Sequence, residues 1–438
     1  MVGAGMAGLV AASTLSRETD VVVLEKDDRA GGRVETVRHG DYWLNLGTQF
    51  AEGTGILFDL MDRFGVERVS LADKKTALVL GGRWVQMDNP VRLVLRSKLP
   101  LRGRIDLARM GLRVRRAHKR LLAGGSSDAA REYRARLEGL TGDMLTRGVK
   151  SKEVLQIASD LSGQWIGCEP SETAATQLIF SVGTALEKAS EVPNFSLPVG
   201  GNQTLVEALA ADLGDRLRLG CPVRAITWTP DDVVVRYESA DGPVTLTAKR
   251  AIVAVPADHA RAMMPSLPAH QRAALEAIDY GRYVVVGVFT TEQGKQRWDD
   301  FYAVSTPELA FQMVFNHASA VRDGGIRAPG GALACLSGGA RADSHMTMTD
   351  AEIEEMYVRD LVRLLPELEG QIEKVVIRRH HKVVSFWGPD GRRSVKALRG
   401  SSGPVHFAGD YLFGIPSLAD AAVSGERAAK DVLRALQG

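Results

Sequence analysis

Three glycines, Gly3, Gly5 and Gly8, stand at the spacing G-x-G-x-x-G, and Leu9-Val10-Ala11-Ala12 after them reads as the start of a helix. Each missing side chain has a use: a tight turn at Gly3, backbone approach by a pyrophosphate at Gly5, and close helix–strand packing at Gly8. The helix N-terminus adds free N–H groups and a positive dipole end for the phosphates. Glycines recur in many turns, so the motif takes its meaning from its surroundings. Val21-Val22-Val23-Leu24 is a short apolar run suited to a buried parallel strand. It ends in Glu25, about twenty residues on, where a carboxylate accepts the ribose hydroxyls of an adenosine. These features predict an α/β, Rossmann-type dinucleotide unit. One feature is out of order: only Met1 and Val2 precede the glycines. Either the start is truncated or another segment completes the first strand.

Further segments specify the dinucleotide. Arg29-Ala30-Gly31-Gly32-Arg33 follows Glu25, and Asn45-Leu46-Gly47-Thr48-Gln49-Phe50 comes soon after. Pro198-Val199-Gly200-Gly201 with Leu205, Pro222-Val223-Arg224, and Ala251-Ile252-Val253-Ala254-Val255-Pro256 lie further along. His406-Phe407-Ala408-Gly409-Asp410-Tyr411 and Ile415-Pro416-Ser417 close the series. Together they resemble the flavin amine oxidoreductase superfamily, which includes monoamine and polyamine oxidases, protoporphyrinogen oxidase and phytoene desaturases. The resemblance implies FAD: Gly31, Gly32 and Arg33 along the pyrophosphate, Gly47 close to the flavin ring, Val223 by the adenine, and Gly409 and Asp410 at the ribityl chain. It also implies that Pro416 and Ser417 lead into a helix whose N-terminus faces the flavin's pyrimidine end, where its dipole favours the reduced anion. A plain NAD dehydrogenase lacks the G-G-R turn. No cysteine stands in the C-terminal block, so non-covalent FAD is expected.

The implied reaction is hydride removal from a carbon activated by nitrogen or unsaturation, with dioxygen or another carrier taking the electrons. Gln49, Gln312 and Trp387, with Asn316, are the candidate substrate-facing residues by family position; no catalytic base is assigned. The sequence departs from the amine oxidases at two places. Tyr280-Gly281-Arg282-Tyr283-Val284-Val285 carries valine about where many of them have lysine, and the aromatic cage is incomplete, with Ser417 near one of its positions and Phe386 or Trp387 for the other. A simple primary-amine oxidase is therefore disfavoured, and amine oxidation and desaturation both stay open. The alternative of a different class is a non-enzymatic binding protein similar to the Rab GDP-dissociation inhibitors; the intact glycines, Glu25, Arg33 and Asp410 weigh against it.

Holding these residues requires a discontinuous FAD-binding domain, expected over 1–75, 195–260 and 375–438, with an α+β substrate domain over 76–194 and 261–374. Within the latter, Leu107, Met110, Val114, Ala117 and Leu121 recur at helical steps among many arginines. Alanine and valine make this stripe a poor membrane anchor, so it is expected to cover the domain core, and membrane association is not favoured. Gly124-Gly125-Ser126-Ser127 reads as a flexible break. Tyr283 to Phe289 and Leu309 to Phe315 read as strands roofing the flavin. The 438 residues are 45% hydrophobic and 25% charged, with a net charge of +2, which is ordinary globular usage and argues against nucleic-acid binding. Three scattered cysteines, Cys168, Cys221 and Cys335, fit neither a zinc site nor a disulfide framework. With no signal peptide evident, a cytoplasmic location is expected. His380 and His381 are adjacent in a strand and face opposite ways, so no metal is expected.

Overall fold

The computed structural model describes residues 1–52, 55–87, 90–122, 128–188, 195–322, 328–389, 391, 395–401, 403–413 and 416–437. The break expected at Gly124 to Ser127 and the residue Ile415 lie outside them.

A parallel sheet organises the dinucleotide end. Val23–Leu24 pairs in parallel with Leu217–Arg218 on one side, and Val2 bridges Leu24 and Val253 in parallel. Ala251–Val253 then pairs in parallel with Val405–Phe407. The first strand is thus short but bonded on both sides: Val2 donates to the Ile252 carbonyl and Gly3 to that of Leu24, each at 2.9 Å. The strands are buried and apolar apart from His406, as expected of a parallel sheet covered on both faces. The helix Met6–Leu15 packs on this sheet, and the C-terminal helix Leu418–Gln437 lies against it. Ala7, Ala11, Ala428 and Ala429 line that contact, where small residues allow close approach. Gly425 is required there, because a Cβ would overlap the Ala7 carbonyl. Helix Gln203–Leu213 seats Leu205, Leu209 and Leu213, all fully buried, beneath Met6, Leu9 and Val10. Each such leucine contributes about 1.5–3 kcal/mol relative to exposure.

The second body is a seven-stranded mixed sheet, in the order Ile372–His380, Tyr283–Thr290, Gly331–Gly338, Met313–Asn316, Phe301–Ser305, Lys75–Leu80, Arg83–Gln86. Strand Ile372–His380 crosses the boundary expected between 374 and 375 and forms one edge of this sheet, its Lys374 pointing a charge outward. Leu309 to Gln312 forms a turn rather than a strand, closed by bonds from Thr306 to the Gln312 carbonyl and from Leu309 to the Thr306 carbonyl. On strand Tyr283–Thr290, Val284, Val286 and Val288 face the helix Asp350–Leu364 layer, while Tyr283, Val285 and Phe289 face the other way. The helices Leu101–Leu122, Lys152–Trp165 and Ala175–Lys188 complete this end. The expected stripe of Leu107, Met110, Val114, Ala117 and Leu121 is buried. Asp106 accepts the Lys150 and Ser151 N–H groups at 2.9 and 3.0 Å, fixing the start of the helix Lys152–Trp165. Among the described residues no helix is long and apolar enough to cross a membrane.

Candidate active site

A single cavity of about 1160 Å³ runs from the glycine turn to the inner face of the large sheet. Single small-molecule sites typically occupy about 300–1,000 Å³. At one end stands the turn before helix Met6–Leu15. Gly3 has φ +96°, a conformation that favours glycine, and Gly8 packs so tightly that a Cβ would overlap the Gly3 carbonyl. Gly5, the N-cap, makes no side-chain cap, and no protein atom lies within 4 Å of where its Cβ would stand. The first turn of this helix carries no acid either, which leaves its N–H groups to an anion.

Glu25 is buried at the end of the second strand. One carboxylate oxygen accepts the Ala4 N–H at 2.7 Å and the other the Asp27 N–H at 3.1 Å. Both oxygens retain acceptor capacity beside Val223, which also lines the cavity. Gly31 and Gly32 line the opposite lip, and Gly31 donates to the Ala4 carbonyl at 2.8 Å. Arg33 and Asp410, which the sequence assigns to different parts of the cofactor, meet in a two-pronged ion pair of 2.9 and 2.7 Å. Arg33 also donates to the Val383 carbonyl, which ties three distant segments together at the cavity's waist. Gly409, Pro416 and Ser417 line the wall beyond. The Ser417 hydroxyl accepts the Asp420 N–H at 3.0 Å and donates to its carboxylate at 3.1 Å, closing the entry to the C-terminal helix. Burial pushes the Asp420 carboxyl up to about 6, with the Ser417 hydrogen bond opposing and the Asp410 charge adding.

Gln49 and Gly47 line the cavity from the loop that crosses it. The Gln49 amide donates to the Asn45 and Gly47 carbonyls at 3.1 and 2.8 Å, so it holds this loop closed. A Cβ on Gly47 would overlap the Arg33 carbonyl. Trp387 lines the cavity and is 2% exposed, its indole N–H without a hydrogen-bond partner. Gln312 is not on the cavity wall. Its amide donates to Asp160 at 2.9 Å and accepts from the Gly338 N–H at 2.7 Å, so it is committed to the protein. Asn316 is likewise committed, donating to the Trp298 carbonyl at 3.1 Å. Phe386 is buried among the helices rather than at the cavity. Of the strand that carries valine where lysine is common, the cavity residue is Tyr283, whose hydroxyl donates to the Gln164 carbonyl at 2.9 Å.

The rest of the wall comes from residues that carry no motif. Gln164, Gln177, Phe180, Met313, Phe315 and Leu336 surround the far chamber, with Tyr302, whose hydroxyl donates to the Gln49 carbonyl at 2.8 Å. The lining carboxylates among the described residues are Glu25, Asp27, Asp410 and Asp420, all at the dinucleotide end. Toward the substrate end the wall therefore offers amides, hydroxyls, apolar surface and one guanidinium, Arg134, which donates to the Leu121 carbonyl, but among the described residues no acid. Cys221 is the one thiol on the wall among the described residues, and its N–H donates to the Glu25 carbonyl at 2.6 Å.

A glycine turn at a helix N-terminus, an acid at the next strand end and a second body closing over the same cavity define a dinucleotide-dependent enzyme fold. Residues 6–433 match the flavin-containing amine oxidoreductase family, and the chain belongs to it. It is 26% identical over 272 residues to a probable flavin-containing monoamine oxidase A of Dictyostelium discoideum, covering 58% of this chain and 56% of that relative. The match thus spans little more than half of that protein's length. To the chloroplastic protoporphyrinogen oxidase of Nicotiana tabacum it is 25% identical over 417 residues, 86% of this chain and 73% of the relative. Among solved structures it is similar to cyclohexylamine oxidase from Brevibacterium oxydans IH-35A, with TM-score 0.80, 20% identity and coverage of 100% and 98%. Putrescine oxidase bound to putrescine matches at TM-score 0.79, 20% identity and coverage of 99% and 98%. At such identities these two speak for the fold.

Proposed function

We propose that this chain is an FAD-dependent oxidoreductase that takes a hydride from a C–H bond of a small, largely apolar substrate and so oxidises the adjoining C–N or C–C bond. The observation that carries the reading is the single cavity with a phosphate-binding turn at one end and an acid-free, mostly apolar chamber at the other. The residues present fit the cofactor. Open space at Gly5 admits a pyrophosphate, Glu25 offers acceptors to a ribose, and the Arg33–Asp410 ion pair lines the waist where the phosphate and ribityl groups would lie. Bound there, FAD supplies a two-electron hydride acceptor. The protein's own part is orientation and exclusion of water. Phe180, Phe315 and Leu336 desolvate the substrate, and the Gln49 loop, held by Asn45 and Tyr302, keeps one wall fixed. The N-terminus of the C-terminal helix adds a positive dipole end where charge accumulates.

An acid-free chamber disfavours a second ammonium on the substrate, because a buried charge without a partner is costly. A monoamine or an uncharged substrate is therefore favoured over a diamine. FAD is held non-covalently in this reading, since Cys221 stands beside Glu25 and no cysteine lies in the C-terminal block. Dioxygen or another acceptor reoxidises the cofactor. Three separated, buried thiols support a cytoplasmic, reducing setting. The test is an absorption spectrum followed by anaerobic mixing with cyclic monoamines, diamines, porphyrinogens and cyclic enones. Flavin bands that bleach with a monoamine or a neutral apolar compound, and not with putrescine, support the reading. A colourless protein that refuses added FAD, or one bleached by diamines alone, overturns it.

A further inference from the structure

Helix Leu101–Leu122 carries two apolar stripes, and only one is buried. Leu107, Met110, Val114, Ala117 and Leu121 face the core. On the opposite side Leu101, Ile105 and Leu112 are 75%, 43% and 52% exposed. At about 100° per residue these three and Ala108 fall within roughly 60° of one another, a continuous outer seam about 16 Å long. Leu95 on the preceding helix Pro90–Arg96 is 66% exposed, and Leu122 at the seam's end is 48% exposed. Five of the eleven exposed large apolar side chains of the described residues thus fall between 95 and 122.

The flanks of the seam are basic. Arg104 and Arg115 run along one side, Arg109 and Arg116 along the other, and exposed Lys119 stands in line with it. Asp106 is the helix's one acid, and it is buried with its carboxylate bonded to the Lys150 and Ser151 N–H groups, so it does not offset this charge at the surface. Arg96 and Lys98 extend the basic surface toward Leu95. A seam of leucine and isoleucine between two rows of arginine is the pattern of a helix lying in the plane of an anionic bilayer, with apolar side chains in the acyl boundary and guanidinium groups among the headgroups. Two copies of this face packed on each other would bring arginine rows together, which opposes a two-fold dimer through it. Beneath the seam Leu107 and Met110 pack on Leu80, Leu99, Val154 and Ile157, and the helix reaches the cavity only at its C-terminal end, through Leu121.

We propose that the outer face of helix Leu101–Leu122, with Leu95, is an interfacial docking surface for an anionic phospholipid membrane. The chain sits on the bilayer without crossing it. The surface is independent of the reaction proposed above.

The test is co-sedimentation of the flavin-loaded protein with phosphatidylcholine vesicles containing about a third phosphatidylglycerol, against pure phosphatidylcholine vesicles, at low and high salt. The wild-type protein pellets with the anionic vesicles and about tenfold less with the neutral ones, and high salt weakens binding. Leu101→Ser/Ile105→Ser/Leu112→Ser and, separately, Arg109→Glu/Arg116→Glu each reduce pelleting about tenfold or more, with flavin content and melting temperature unchanged because the sites are exposed. Sedimentation velocity on the same proteins reads the competing occupants. Wild-type protein that stays in the supernatant with anionic vesicles overturns the proposal. So do variants that bind as wild type, or a dimer that the triple serine variant dissociates while vesicle binding is absent.

Discussion

Replacing Gly5 with alanine separates what holds the fold from what holds the cofactor. Gly5 sits at φ −72° and ψ 177°, extended backbone that any residue adopts, and its new Cβ would meet no protein atom within 4 Å. The apo protein is therefore expected to keep its stability, or to gain about 0.4–1 kcal/mol from a less flexible unfolded chain. The methyl nevertheless stands at the turn where the backbone must come into contact with the pyrophosphate. An extra methyl in a close-packed contact costs about 1–3 kcal/mol, which raises the Kd for FAD about 5- to 150-fold. Gly8→Ala is the comparator. Its Cβ would overlap the Gly3 carbonyl, so apo stability itself falls by about 1–3 kcal/mol, with flavin binding lost as the turn opens. Thermal unfolding of the apo proteins and FAD titration by flavin fluorescence separate the two effects. If Gly5→Ala binds FAD as the wild type does, the glycine turn does not carry the phosphates and the cradle has been misread. If it melts well below the wild type, the space at Gly5 is not open as described.

Glu25→Ala strips the acceptors from the Ala4 and Asp27 N–H groups and should cost about 1–3 kcal/mol for each one left dry, read as a lower urea midpoint of the apo protein. His317 and His345 are buried, and burial lowers both to about 4 from an ordinary 6.5. Below pH 6.5 the unfolded chain binds protons that the fold refuses, so stability should fall as pH drops from 6.5 to 4, by up to about 3 kcal/mol per histidine. Unfolding midpoints that stay flat over that range refute this. Asp420 has the opposite sign. With its carboxyl raised to about 6, ionising it costs stability as pH climbs from about 4 to 6. Asp420→Asn should then match the wild type near pH 4 and exceed it by about 1–2 kcal/mol above pH 6; equal stabilities at both pH values would show that the carboxyl is not held up by burial.

The dinucleotide end was legible because backbone geometry dictates its residues. Gly3, Gly5 and Gly8 are needed for a turn, an approach and a close contact, and Glu25 must end the strand beside them. The short segment before the glycines lies between two strands, Val2 bonding to Ile252 and Ala254 on one side and Met1 and Gly3 to Leu24 on the other. The substrate end was far less legible. Gln312 was expected at the substrate, but side chains alternate along a strand. Met313 and Phe315 take the cavity face and Val314 the opposite one, while Gln312, just before the strand, turns to Asp160 of helix Lys152–Trp165. Family position fixes the strand there, while a shift of one residue reverses its faces. Gln164 and Phe180 read as ordinary helix residues, because nothing in a helical period marks which buried face meets a cavity. Arg33 and Asp410 are 377 residues apart in sequence, and only the folded chain reveals their ion pair.

The parallel sheet also imposes an order of events on the growing chain. Val2 can bond to Val253 only after more than half the chain has been made, and Ala251–Val253 gains its outer neighbour, Val405–Phe407, later still. Pairings of such long sequence separation form slowly and leave strand edges open meanwhile. Truncation before residue 405 would therefore disable the N-terminal glycine turn too, since that turn rests on the sheet and on the helix Leu418–Gln437 behind it. The cofactor site is encoded first and completed last, so an unfinished chain carries its motif without being able to use it.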